Sequence, residues 1–367
     1  VEYADSDVQA EGFPGGVVLR SGNATVEVYL DRISGQDHVR LVSIGTGIRL
    51  RVPIKSSGPN YDHAVRLDEK SGYLNLFRNN NRFRFECLDG EMTFDAPWGS
   101  HHSEYITLTF TGGKEGGAEV ALDSYSTVFE PTMRTSVEDI QTGLETEWNT
   151  FIAAFPAVPD GLPSKRFAEA AMVCWNNTIA ANGNFTRDAG VMSKHVMSNV
   201  WSWDNCFNAM ALAESHPVLA WDQLLLMADH QDRWGAFPDS VNADRVSWNF
   251  CKAPVYGFAF TLMLDRNPEF FGDRKRLETA YEFIGKNARW WLDHRRLPGH
   301  ALPYLSHGND GFDTSTMFLE GCPLEGPDVA AYLADQCKAL ALVANRLGLK
   351  GEAVQWWRQH DDLLQAM

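Results

Sequence analysis

The chain predicts an antiparallel β-sandwich followed by an α/α toroid, and three observations carry that prediction. Its first third is built from short runs of β-branched and aromatic residues separated by turn chemistry. From about residue 164 the apolar period changes to that of amphipathic helices. The segments joining those helices hold most of the Trp, Asp, Asn and Pro residues, as in a ring of helix pairs whose site lies on the loops at one end.

At 367 residues the chain exceeds the size at which one core stops growing, so two domains are expected, at 1–150 and 151–367. Within the first, the residues at 17–19, 24–29, 39–44, 48–52, 73–77, 82–87, 105–110 and 118–122 read as strands. Gly-Pro-Asn, Asn-Asn-Asn, Leu-Asp-Gly and Gly-Gly-Lys-Glu-Gly-Gly supply the turns between them. In the second, helices are expected over 167–181, 204–215, 217–230, 252–264, 274–295, 327–347 and 352–366. These are too few to close a toroid of six helical hairpins, and the last runs in strong period to Met367 without a stop signal. A half-ring is therefore expected, completed by a further C-terminal segment or a companion chain.

Charge and composition exclude several classes of function. A formal net charge of -16 without a basic run repels phosphate backbones and anionic lipid, so neither nucleic acid nor a membrane is an expected partner. The longest apolar runs are too short to span a bilayer. The six cysteines lack the close pairs of a zinc site and the density of a disulfide framework, so free thiols are expected and no metal is. No dinucleotide fingerprint, phosphate loop or serine nucleophile elbow occurs, and no organic cofactor is implied.

Three segments carry candidate chemistry. In Trp201-Ser-Trp-Asp-Asn-Cys-Phe207, aromatic rings stand beside a carboxylate at the start of a helix. Asp204 there reads either as the helix N-cap or as an acceptor for sugar hydroxyls, and Trp201, Trp203 and Phe207 read either as core or as faces on which a sugar ring stacks. The stretch from Gln231 to Asp239 and on through Trp248, Asn249 and Lys252 reads either as solvated loop or as pocket wall, with Gln231, Asn249 and Lys252 as donors. Gly308-Asn-Asp-Gly-Phe-Asp-Thr-Ser-Thr316 presents Asp313 on a tight turn near Phe312 and Phe318, which suits an Asx turn or calcium loop as well as a carboxylic acid with a raised pKa.

Taken in order, Trp201-x-Trp-Asp-x-x-Phe207, Gly235-x-Phe-Pro-Asp239, Trp248-Asn with Lys252-x-Pro254, Asp310-Gly-Phe-Asp-Thr-Ser315 and Asp328-x-Ala-Ala-Tyr332 resemble glycoside hydrolase family 63 over residues 165–367. The resemblance implies an (α/α)6 barrel behind a β-sandwich and hydrolysis of an α-glucosidic or related α-glycosidic bond of a small saccharide, with inversion. It makes Asp313 the general acid and Trp201 and Asp204 substrate-binding residues, and Trp203 is expected to help hold the same sugar. It places the general base, a Glu near the end of the barrel, beyond Met367. The alternative expectation is a sugar-binding or scaffolding half-barrel that is inactive until another chain or segment completes it.

Overall fold

The computed structural model describes residues 8–31, 38–52, 54, 61–77, 81–131, 133–158, 160–193, 197–306, 316–319 and 321–367. The chain divides into two compact units, Val1–Thr150 and Phe151–Met367.

The first unit opens with β1 (Gln9–Phe13), β2 (Gly16–Ser21), β3 (Ala24–Asp31), β4 (His38–Ile44), β5 (Ile48–Val52), β6 (His63–Arg66) and β7 (Ser71–Leu76). It continues with β8 (Asn81–Asp89), β9 (Glu91–Asp95), β10 (Trp98–Gly99), β11 (His102–Ser103), β12 (Ile106–Thr111) and β13 (Ala118–Ser124). Eight of them form one antiparallel sheet in the order β1-β2-β3-β4-β13-β8-β7-β6, and β5-β12-β9 form a second. Alternation puts Phe85, Cys87, Leu74, Val120 and Leu41 of the large sheet into one core with Ile106, Leu108, Phe110, Ile48 and Met92 of the small one. Burying each large side chain of that set is worth about 1.5–3 kcal/mol. The expected sandwich is what forms.

All eight expected strands are present. The sequence reading missed β1, whose residues are mostly exposed and so leave little period, β9, five residues whose Met92 and Phe94 alternate inward, and β6, the four-residue edge of the large sheet. It also missed α1 (Val137–Ala153), which buries only Ile140 and Leu144. Ser136 caps this helix, its Oγ accepting from Asp139 N at 3.1 Å while donating to Asp139 Oδ2 at 2.8 Å.

Of the charged residues buried in the sandwich, Asp123 is the most enclosed. Asp123 on β13 is fully enclosed and is held by both arms of Arg134, at 2.8 and 2.7 Å, with Glu86 2.7 Å from the same guanidinium. Breaking such a pair strands a carboxylate without solvent, which costs about 3–5 kcal/mol, whereas replacing both partners by apolar groups is often neutral. Arg134→Met is therefore expected to lower the urea midpoint of the sandwich transition by a matching amount. The double variant Arg134→Met/Asp123→Leu is expected to recover most of it.

In the second unit, α2 (Ser164–Asn177) leads into two short strands, β14 (Thr178–Ile179) and β15 (Ala189–Gly190), and then into β16 (Val200–Trp201). The helices α3 (Asp204–Leu212) and α4 (Pro217–Asp229) follow, then β17 (Ser240–Val241) and β18 (Val246–Ser247). After these come α5 (Tyr256–Arg266), α6 (Pro268–Phe271), α7 (Arg274–His294), β19 (Tyr304–Leu305), β20 (Leu324–Glu325), α8 (Pro327–Leu347) and α9 (Lys350–Ala366). α8 packs against α5, α7 and α9, which is why it buries residues around most of its circumference, and α3 packs against α4 and α5. The close approach of α5 to α8 needs Gly257, where a Cβ would lie 2.3 Å from Gln336 Cα.

Helix bounds differ from the pattern where local chemistry intervenes. α2 stops at Asn177 rather than 181 because Thr178 and Ile179 pair with β15. α5 begins at Tyr256 rather than 252, since Pro254 disfavours helical backbone in the residue before it. Lys252 thus lies on an extended lead-in rather than on the helix. No helix among the described residues is long and apolar enough to cross a membrane, and all six cysteines are free.

Candidate active site

A three-stranded antiparallel sheet of two-residue strands assembles the site. β16 pairs with β17 through Trp201 and Ser240, and β17 pairs with β18 through Ser240 and Ser247. Ser202 N donates to Asp239 O at 3.0 Å, and Asp239 N donates to Ser247 O at 2.9 Å. Three motifs distant in sequence, around Trp201, Asp239 and Trp248, are thereby laid side by side.

Helix N-termini gather at the same place. The Trp203 ring meets Tyr332, in the second turn of α8, edge-on at 5.6 Å, and meets Phe207 at 5.2 Å. Asn205 in the first turn of α3 donates Nδ2 to the hydroxyl of Tyr256, the first residue of α5, at 3.3 Å. The starts of α3, α5 and α8 therefore converge, and the positive ends of their dipoles favour oxygen-rich ligands there. Asp204 is the first residue of α3, not its cap: the N-cap is Trp203, and no side-chain cap bond forms. An acid in the first turn complements the helix dipole.

Trp201 and Trp203 are half-buried, whereas Phe207 is 41% and Trp248 49% exposed, so these rings have free surface available to a ligand. Asn249 is exposed beside Trp248. Lys252 and Asp239 are 12% and 11% exposed and face each other across 3.7 Å, beyond hydrogen-bond range. Asp239 is the functional candidate that sequence reasoning did not single out, although it closes the Gly235-x-Phe-Pro-Asp239 motif. Lys252, Ser202, Phe237, Cys251, Asn287 and Trp291 are among the residues lining a cleft of about 10 Å³, near the minimum that admits one water. Burial pushes the Cys251 thiol up to about 11, which leaves it protonated and a poor nucleophile at neutral pH.

Gln231 is bonded within the fold. Its Nε2 donates to Gly235 O at 3.0 Å and to Phe283 O at 2.9 Å, so its donor is spent on main chain rather than held for a sugar. Asp313 and Asp310, with the rest of 307–315, lie outside the described residues. A wider groove of about 590 Å³ runs between α4 and α7, where several charges pair with one another, Arg187 with Asp229 at 2.8 Å and Lys286 with Glu282 at 2.8 Å. Volume there does not mark the site. Among the described residues, no three His, Cys, Asp or Glu side chains converge as metal ligands.

Residues 197–367 match the family described as the mannosylglycerate hydrolase MGH1-like glycoside hydrolase domain. No curated protein matches the chain. Among solved structures, a bacterial glucoamylase complexed with acarbose is similar over 98% of this chain and 58% of its own, at 12% identity and a TM-score of 0.61. An inverting mannosidase of family GH92 from Bacteroides thetaiotaomicron is similar over 97% of this chain and 51% of its own, at 10% identity and a TM-score of 0.56. The GH63 mannosylglycerate hydrolase of Thermus thermophilus in complex with glucose is 18% identical over 54% of this chain and 62% of its own, with a TM-score of 0.45. The chain thus spans at most 62% of the length of these three proteins. The first two likenesses show the fold, a β-sandwich followed by a helical glycosidase-type barrel domain. Residues 197–367, which hold the site assembled from β16, β17, β18 and the starts of α3, α5 and α8, are thus similar to the MGH1-like glycoside hydrolase domain.

Proposed function

We propose that this chain belongs to an inverting glycosidase that cleaves an α-glucosidic or related α-glycosidic bond of a small saccharide. The observation that carries the reading is the gathering of Trp201, Trp203, Asp204, Asp239 and Trp248 at one end of an MGH1-like domain by a miniature sheet. Indole faces stack on the C–H face of a pyranose while carboxylates accept from its hydroxyls.

In this reading Asp313 protonates the departing glycosidic oxygen. Asp204 binds hydroxyls of the sugar whose anomeric carbon reacts, and Trp201 and Trp203 pack against its ring. Asn249 and Lys252 supply further donors. Inversion requires a second carboxylate roughly 6.5–9.5 Å from the acid, leaving space for the attacking water. The resemblance assigns that base to a Glu near the end of the barrel.

Proton NMR of the first product formed from an α-linked disaccharide tests the reading. Initial appearance of the β-anomer of the released sugar is the expected result. Initial appearance of the α-anomer would remove inversion. Stoichiometric sugar binding without any release would favour the scaffolding alternative.

A further inference from the structure

The Asp239–Lys252 pair is supported from beneath by two buried amides, Asn287 of α7 and Gln336 of α8, neither of which faces solvent. Asn287 Nδ2 donates to Gly235 O at 3.1 Å, and Gln336 Oε1 accepts from Gly257 N in the first turn of α5 at 3.4 Å. Gln336 Nε2 donates to Asn287 Oδ1 at 3.1 Å and so joins the two amides. One amide therefore holds the segment that carries Asp239, and the other holds the helix start that follows Lys252.

Little slack separates these anchors from the charges. Between Gly235 and Asp239 the chain is pinned by Phe237, buried with its ring 4.4 Å from that of Tyr256. Between Lys252 and Gly257 stand Ala253, Pro254, Val255 and Tyr256, all buried. Gly235 itself is pressed on α7, where a Cβ would lie 2.2 Å from Lys286 O. A shift of either amide is thus transmitted to the spacing of a carboxylate and an ammonium that face each other across 3.7 Å.

We propose that Asn287 and Gln336 are positioning residues that set the separation of Asp239 and Lys252, and through it the fit of the sugar. The second half of that statement rests on the glycosidase reading of the site; the first half does not. Buried amides whose only task was stability would lower the melting temperature without altering how Asp239 and Lys252 respond to one another.

The experiment has two arms on the native chain and on Asn287→Leu, with Gln336→Met as the variant closest in shape should the first fail to fold. In the ligand-free arm, Asp239→Asn, Lys252→Met and the double variant are combined with each amide variant and followed by thermal unfolding. The non-additive Tm shift of the pair is expected in the native background and absent in the amide variants; the same non-additivity in both would overturn the proposal. In the second arm, maltose binding is followed by tryptophan fluorescence. The amide variants are expected to bind on the order of ten-fold more weakly, with no further loss when Lys252→Met is added. Losses that simply add would overturn the link to the sugar. If the native chain takes up no maltose, the choice of sugar or the site reading fails, and the ligand-free arm still decides whether the amides position the pair.

Discussion

Asp313→Asn is expected to slow hydrolysis of an unactivated α-glucoside by about 10²–10⁴-fold, the range that a positioned general acid contributes. The amide keeps the size and hydrogen-bonding reach of the carboxyl but has no proton to give. Loss should therefore fall on kcat, with KM for the same saccharide changing little, because the proposed function rests binding on Trp201, Trp203 and Asp204. A leaving group that departs without protonation separates this role from a structural one. α-Glucosyl fluoride should be turned over by the variant at close to the parent rate, since fluoride leaves without help from an acid. Equal losses on fluoride and disaccharide, measured by initial rates, would remove Asp313 from the role of acid.

How much of this was legible in the sequence depended on how strongly each element buries one face. β4, β8, β12 and β13 alternate because one side of each enters the sandwich core, and their period is plain. β1 exposes nearly every residue, so nothing in its composition distinguishes it from a loop. α1 could have been found from Ser136-x-x-Asp139, a capping signal that stands without a strong apolar stripe behind it.

The site divides in the same way. Trp201, Trp203 and Asp204 were readable because three aromatic rings and an acid within seven residues are unusual chemistry. Trp248 and Lys252 were readable as composition, but their place was not, because strands of two residues carry no period by which pairing could be inferred. Asp239 acquires meaning only when β16, β17 and β18 pair. Gln231 reads as a donor for a sugar until the fold turns its amide toward Gly235 and Phe283. Asn287 and Gln336 interrupt the apolar faces of their helices, and what they hold belongs to other segments far away in the chain.

Gly235→Ala is expected to be among the most damaging single-methyl additions in the helical unit. Gly235 has φ +102°, a conformation that an L side chain adopts only with strain, and the added methyl would stand 2.2 Å from Lys286 O and 2.6 Å from its carbonyl carbon. Neither atom can yield, because both belong to the backbone of α7. The cost therefore has two parts, conformational and steric, and a second glycine separates them. Gly299 has φ +82° but no atom within 4 Å of a Cβ position, so Gly299→Ala carries only the conformational part, about 1–2 kcal/mol. Gly235→Ala should exceed it by a further 1–3 kcal/mol, roughly the cost of overpacking a dense interior. Relief can come only if the loop lifts from α7, which breaks the bonds from Gln231 and Asn287 to Gly235 O and moves Asp239 with it. Parallel urea titrations and maltose binding on the two variants measure both consequences. Gly299→Ala should keep parental sugar affinity while Gly235→Ala loses it, and equal behaviour of the two would show that the contact with α7 does not hold the loop in place.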